Sequence, residues 1–254
     1  MDIWYNGLPL HLNEYDSNVV QSVTKLSSVP KKRTNAGDLK PTLSNGLYCL
    51  TEDVNNCRSF VSYVHRALSV PRRDFESLWA LGTDESKVKR TQFMGSLVNR
   101  RQATFGAGYS FSGQKNTIFN IPENEFPAAV QMALEDARSR VGERESVRLN
   151  GVHVNWYPDG NAGVNAHADD EPHLVVDAPI FSYTLLESEE TAPRGFQIYM
   201  QDGKTQVADI PLFDGDLIIM GGEMQRHFKH GVKKSAAKAF QNHRRINITV
   251  RAFR

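Results

Sequence analysis

The chain has 254 residues, 30 Lys and Arg against 29 Asp and Glu, and a hydrophobic share of 40%. That length suits one domain plus an N-terminal extension, and the near-neutral balance excludes a polycation that binds nucleic acid by bulk charge. Cys49 and Cys57 are the two cysteines, outside CxxC spacing, so neither a disulfide framework nor a zinc site is expected.

In chain order, residues 1–45 are rich in Ser, Asn, Thr and Gly, carry Lys31-Lys32-Arg33, and read as a largely irregular extension. Leu47 to Leu50 reads as a strand. A helix is expected from Glu52 or Asp53 to about Leu68, with Phe60, Val64, Ala67 and Leu68 on one face and Pro71 as its stop. A second helix is expected from Phe126 to about Val141, with Pro127 in its first turn and Val130, Leu134 and Ala137 as the buried stripe. Strand signals follow at 152–157, 180–186, 195–200, 206–210, 216–220 and 245–251, separated by Gly, Pro and Asp turns. The expected class is α+β: a double-stranded β-helix (jelly-roll) core with N-terminal helices packed against it. No apolar run is long enough to span a bilayer and no signal peptide opens the chain. The expectation is a soluble intracellular monomer, nuclear or cytoplasmic, with no membrane partner.

Chemistry concentrates in the C-terminal third. His167-Ala168-Asp169 is followed by His230, and two imidazoles with one carboxylate make a facial triad that holds Fe(II) and leaves positions open. In extended chain, residues i and i+2 share a side, so His167 and Asp169 are expected on one strand, with His230 arriving from another. His227 competes with His230 for the third position. In Arg245-Ile246-Asn247-Ile248-Thr249-Val250-Arg251 polar and apolar residues alternate, so one face carries two arginines, an amide and a hydroxyl. An arginine aimed into a core needs an anion, and a dicarboxylate matches its planar fork.

These stretches resemble the AlkB-like family of Fe(II)- and 2-oxoglutarate-dependent dioxygenases. The matching motifs are Asn155-Trp156-Tyr157, His167 to Glu171, Gly215 to Gly222 leading into His230, and the R-x-N-x-T-x-R segment at 245–251. Arg100-Arg101-Gln102-Ala103-Thr104-Phe105-Gly106 and Tyr109 to Gly113 resemble the substrate lid of members that repair alkylated DNA. The resemblance covers about 90–254. It implies an extension at 1–45 and a dioxygenase domain at 46–254, with a lid at about 90–115 and a core at about 149–254.

The resemblance also implies roles. Fe(II), 2-oxoglutarate and O₂ are the cofactor and co-substrates, with iron on His167, Asp169 and His230. Arg245 pairs with the distal carboxylate of 2-oxoglutarate, Asn155 and Tyr157 hydrogen-bond to it, and Asn247, Thr249 and Arg251 complete the pocket. Asp170 and Glu171 face the base, although a solvated acidic turn is the alternative for Asp170. Tyr109 and Phe111 are lid aromatics, Arg100 and Arg101 contact phosphates, and Phe93 or Met94 is a wedge between base steps. The implied reaction is demethylation of bases such as N1-methyladenine and N3-methylcytosine in DNA or RNA, releasing succinate, CO₂ and formaldehyde. The competing readings are a hydroxylase of a protein, lipid or small molecule, and a non-catalytic nucleic-acid-binding module. From Gln225 to the end there are nine Lys and Arg and no Asp or Glu, an asymmetry suited to a phosphate backbone.

Overall fold

Pro71 begins a helix instead of ending one. The computed structural model describes residues 20–22, 45–50, 57–90, 92–93, 96–107, 117–142, 148–176, 178–234 and 243–254. In it the segment expected to be helical over 52–68 is a strand at Ser59–Val64, and the helix follows at Arg72–Thr83 with Pro71 at its N-cap. The physical reason lies in the residue types. Phe60, Val61, Tyr63 and Val64 are aromatic or β-branched and prefer a pleated surface, whereas proline's fixed φ suits entry into a helix. The second helix forms at Ala128–Ser139, inside its expected bounds, with Val130, Leu134 and Ala137 buried.

The elements are β1 (Val20–Ser22), β2 (Gly46–Cys49), β3 (Ser59–Val64), α1 (Arg72–Thr83), β4 (Gln92–Phe93), β5 (Ser96–Leu97), β6 (Arg101–Gly106) and β7 (Thr117–Phe119). They continue with α2 (Ala128–Ser139), β8 (Leu149–Tyr157), β9 (Val164–His167), β10 (Ile180–Leu186), β11 (Arg194–Met200) and β12 (Gln206–Leu212). The last are β13 (Leu217–Gly222), α3 (Met224–His227), β14 (Phe228–Val232) and β15 (Arg245–Ala252). A nine-stranded sheet runs in the order β1-β2-β3-β13-β10-β15-β8-β6-β7, and a four-stranded sheet in the order β12-β11-β14-β9. These largely antiparallel sheets form the jelly-roll core.

All eight residues of β15 are buried, so neither of its faces meets solvent. Ile246, Ile248 and Val250 join one hydrophobic cluster with Phe75 and Leu78 of α1 and Val130 and Leu134 of α2. The opposite face is the polar one. Trp156 fastens α1 to that cluster: its indole N–H donates to the Leu78 carbonyl at 2.9 Å, and its ring lies where a Cβ on Gly82 would stand, 2.2 Å away. Burying an aromatic of this size contributes on the order of 3 kcal/mol.

A second cluster fills one side of the space between the sheets, where Tyr63, Ile218 and Met220 meet Phe196, Ile198 and Ile210. The rest of that space, beneath β15, β8 and β6, is polar. At its edge Gly215 takes φ 77°, a conformation suited to glycine, and turns the chain so that Asp216 is fully buried. Asp216 accepts from the Tyr63 hydroxyl (2.8 Å) and from the backbone N–H groups of Arg66 (3.0 Å) and Phe213 (2.8 Å). The Gly-Asp motif therefore anchors β13 to β3. Cys49 and Cys57 form a disulfide, which the spacing did not lead us to expect. The antiparallel pairing of β2 with β3 returns the chain beside Cys49, with Cα atoms 5.5 Å apart.

Candidate active site

β9 and β14 pair so that His167 stands directly opposite His230, with ring centroids 4.4 Å apart. Asp169 does not share the strand with His167, as alternation predicted, because β9 ends at His167. Other contacts hold it. Its backbone N–H donates to Oε1 of Gln225 on α3 at 3.0 Å, and its Oδ2 accepts from Arg251 at 2.7 Å. Nε2 of His167 lies 3.7 Å from Oδ1 of Asp169, and Nε2 of His230 lies 3.9 Å from Oδ2. One ligand atom from each residue falls within 4.8 Å of the others, the one such group of three or more potential ligands among the described residues. His227 sits outside it, on α3, with Nε2 3.5 Å from Glu223.

Protonation suits a cation. Nδ1 of His167 donates to the Asn165 carbonyl at 2.9 Å, which orients the ring with Nε2 toward Asp169. Burial, with help from His167 and Arg251 and against the pull of Asp169, brings His230 down to about 3, so its imidazole is neutral at ordinary pH. Burial alone would raise the Asp169 carboxyl, but Arg251, His230 and His167 outweigh it and hold the group well below the usual carboxylate range. Two imidazoles and one carboxylate are the donor set of a divalent iron site.

The polar face of β15 supplies the neighbouring pocket. Arg245 is buried, lies over the Tyr157 ring with its guanidinium carbon 4.7 Å from the centroid, and donates through Nη2 to Oγ1 of Thr184 at 3.0 Å. Its Nε and Nη1 meet no acceptor among the described residues. A buried guanidinium with two open donors is incomplete without an anion, and a carboxylate completes it. Thr249 donates to Oδ1 of Asn247 at 3.1 Å, and Nδ2 of Asn155 to the same oxygen at 3.3 Å. Arg251 is turned to Asp169, not to the Arg245 end of the pocket.

Sequence reasoning missed three neighbours. Arg194 is buried and donates to the carbonyls of Ala162 (2.9 Å) and Lys233 (2.7 Å), clamping the turn before β9 onto the end of β14. Burial, then the nearby Arg245, brings it down to about 10. Gln225 and His153 are the others. None carries a motif, since each is recruited by the way the sheets close; only the inward alternation of β8 pointed toward His153.

Arg101 corrects an expectation. Its guanidinium donates to the Thr83 carbonyl at 2.9 Å and pairs with Glu85 at 2.8 Å, so it anchors β6 to the end of α1 and is not presented to a phosphate. Arg100 is likewise engaged inside the protein, donating to Oδ1 of Asn155. Residues 101–106 are an integral strand of the large sheet, between β8 and β7. Tyr109, Phe111 and Met94 lie outside the described residues, as does the side chain of Phe93. Asp170 is exposed and Glu171 half-buried, and both line a cavity of about 390 Å³ that reaches Asp169 and Arg251 between walls including Leu174, Ile180 and Met220. Burial, then Asp169, raises the Glu171 carboxyl.

Residues 76–251 match the family model of the 2OG-Fe(II) oxygenase superfamily. The chain belongs to this family. Its cofactor and co-substrates are Fe(II), 2-oxoglutarate and O₂, which the donor set and the open donors of Arg245 fit. Within the family the chain is AlkB-like. It is 29% identical over 179 residues to the DNA oxidative demethylase ALKBH2 of Bos taurus, covering 65% of this chain and 57% of that protein. It is 32% identical over 122 residues to alpha-ketoglutarate-dependent dioxygenase alkB homolog 3 of Rattus norvegicus, covering 45% and 39%. The matched stretch thus spans less than two thirds of either relative. The solved structure of OsALKBH1 superposes with a TM-score of 0.51 at 19% identity, covering 76% of this chain and 96% of that one, a likeness of fold. No described helix is long and apolar enough to cross a membrane.

Proposed function

We propose that this 2-oxoglutarate oxygenase oxidatively demethylates alkylated nucleobases in DNA or RNA. The carrying observation is the convergence of His167, Asp169 and His230 beside a buried Arg245 whose Nε and Nη1 meet no protein acceptor among the described residues. The nucleic-acid substrate is supported by the likeness to a DNA oxidative demethylase.

In this reading His167, Asp169 and His230 hold Fe(II), which with 2-oxoglutarate and O₂ supplies oxidation of an N-methyl C–H to the hydroxymethyl group. Arg245 grips the distal carboxylate through its fork, and Asn155, Tyr157, Asn247 and Thr249 fix the rest of the molecule. Arg251 keeps the Asp169 carboxylate oriented and ionised. Asp170 and Glu171 place negative charge at the cavity mouth, where a cationic N-methylated base with an exocyclic amine finds both a counter-charge and an acceptor. Loss of formaldehyde from the hydroxymethyl group restores the base. A base in a duplex must leave its stack to reach this cavity.

The test is turnover of N1-methyladenine and N3-methylcytosine in single- and double-stranded DNA and RNA, scored by formaldehyde and succinate together. Stoichiometric release of both from a methylated strand supports the proposal. Succinate formed without formaldehyde on every oligonucleotide moves the substrate to a protein, lipid or small molecule.

A further inference from the structure

We infer that Arg100 is a positioning residue for 2-oxoglutarate, setting the Asn155 amide so that it offers N–H and not C=O to the co-substrate. The inference rests on the co-substrate reading of the Arg245 pocket.

Arg100 immediately precedes Arg101, the first residue of β6, and the two side chains run in opposite directions. Arg101 faces out, onto the Thr83 carbonyl and Glu85 at the end of α1. Arg100 faces in, where its Nη1 donates to Oδ1 of Asn155. The two ends of an amide have nearly the same shape, so hydrogen-bonding neighbours decide which end points where. A guanidinium only donates, so the end of Asn155 that meets Arg100 must be its oxygen. Nε2 of His153 stands 3.1 Å from the same oxygen and must therefore carry its hydrogen.

The far end is equally constrained. Nδ2 of Asn247 donates to the Tyr183 carbonyl and to Oγ of Ser182, each at 2.9 Å, and a backbone carbonyl only accepts. Oδ1 of Asn247 therefore faces Asn155, whose Nδ2 donates to it at 3.3 Å. The two amides form one polarised chain, fixed at one end by an obligate donor and at the other by an obligate acceptor. Asn155 has two N–H groups and Asn247 takes one, which leaves a donor for an anionic oxygen in the pocket. Removing Arg100 takes away the one charged donor on the Asn155 oxygen and leaves only the neutral contacts to His153 and Asn247 to keep that oxygen from turning toward the anion.

The experiment is calorimetric titration of 2-oxoglutarate into the Mn(II)-loaded full chain without O₂, so that binding is read apart from turnover. Arg100→Ala should weaken binding on the order of tenfold, the scale of a lost hydrogen bond to a charged group. Arg100→Lys, which also only donates, should restore part of it. If Arg100 acts through Asn155, the double variant Arg100→Ala/Asn155→Ala should bind no worse than Asn155→Ala alone. Additive losses would overturn the inference. So would unchanged 2-oxoglutarate binding in Arg100→Ala with a log–log salt slope for oligonucleotide binding shallower by about one unit, the mark of a phosphate contact. Where Arg100→Ala does not fold, Arg100→Met keeps the aliphatic stem and carries the same cycle. If the unmutated Mn(II)-loaded protein binds no 2-oxoglutarate, the co-substrate reading itself fails, an outcome separate from the others.

Discussion

Nη2 of Arg251 lies 2.7 Å from Oδ2 of Asp169, so the carboxylate that faces both imidazoles is ion-paired to β15, an interior strand of the large sheet. Two effects oppose each other at this contact. Arg251 occupies a lone pair that a metal would want, but it also counters the burial that pushes the Asp169 carboxyl toward protonation. Burial is the largest single influence on that carboxyl, so losing the guanidinium should let a proton compete with the metal. Arg251→Met should lower Co(II) affinity by roughly 10- to 100-fold, as loss of such outer contacts does. It should also move the acid limb of metal binding to higher pH. Tighter Co(II) binding in the variant, read from its visible absorption, would show that Arg251 mainly blocks the site.

The third imidazole is testable against its neighbour. His230→Ala should abolish stoichiometric Fe(II) binding, while His227→Ala, which removes only a contact to Glu223, should retain it. The reverse pattern would exchange their roles.

The contrast between these two histidines shows what the chain discloses unaided. The polar face of β15 was legible because strict alternation over Arg245, Asn247, Thr249 and Arg251 matches the two-residue period of a strand and no helical stripe. All eight β15 residues are buried, so that polar face lies inside the protein. The strand at 59–64 was not legible. Phe60, Val64, Ala67 and Leu68 fit a helical stripe, and it takes the aromatic and β-branched residues at 60–64 together with pairing to β2 and β13 to decide for the strand. The displacement of Asp169 off the strand of His167 was equally hidden, since the partners that hold it, Gln225 and Arg251, lie 56 and 82 residues away in sequence. Arg101 looked like a free cation for the same reason: its acceptors lie at and just beyond the end of α1, a helix that the sequence pattern did not reveal.

Arg245 should be sensitive to shape and not to charge alone. Arg245→Lys keeps a cation but loses the fork, so 2-oxoglutarate affinity should fall on the order of tenfold or more. Succinate, which shares the anchoring carboxylate, should inhibit the unmutated protein and inhibit the variant less. An unchanged apparent affinity for 2-oxoglutarate would remove Arg245 from the pocket.

Gly82 tests the fold apart from the chemistry. A Cβ there would stand 2.2 Å from the Trp156 ring, deep in the cluster beneath α1. Gly82→Ala should therefore destabilise by about 1–3 kcal/mol, the usual cost of overpacking a filled core. Neither residue belongs to the His167–Asp169–His230 group, so metal binding measured well below the melting transition should be preserved. A melting temperature equal to that of the unmutated protein would mean that α1 shifts freely against the sheet.

Asp170 and Glu171 separate base recognition from oxidation. Both border the cavity that reaches Asp169, one exposed and one half-buried, and neither is among the three grouped ligands. Asp170→Ala should therefore reduce demethylation of cationic lesions while leaving uncoupled 2-oxoglutarate turnover near its original rate. Charge complementarity predicts a larger loss for N3-methylcytosine than for a neutral lesion of similar size. Glu171→Gln adds a second comparison, because it keeps one side-chain acceptor in the half-buried position while it removes the charge and turns the other oxygen into an N–H donor. If charge is what counts, Glu171→Gln should share the lesion bias of Asp170→Ala; if only the acceptor counts, it should spare both lesions. Equal losses for cationic and neutral lesions in both variants would reduce the pair to residues that shape the turn after β9.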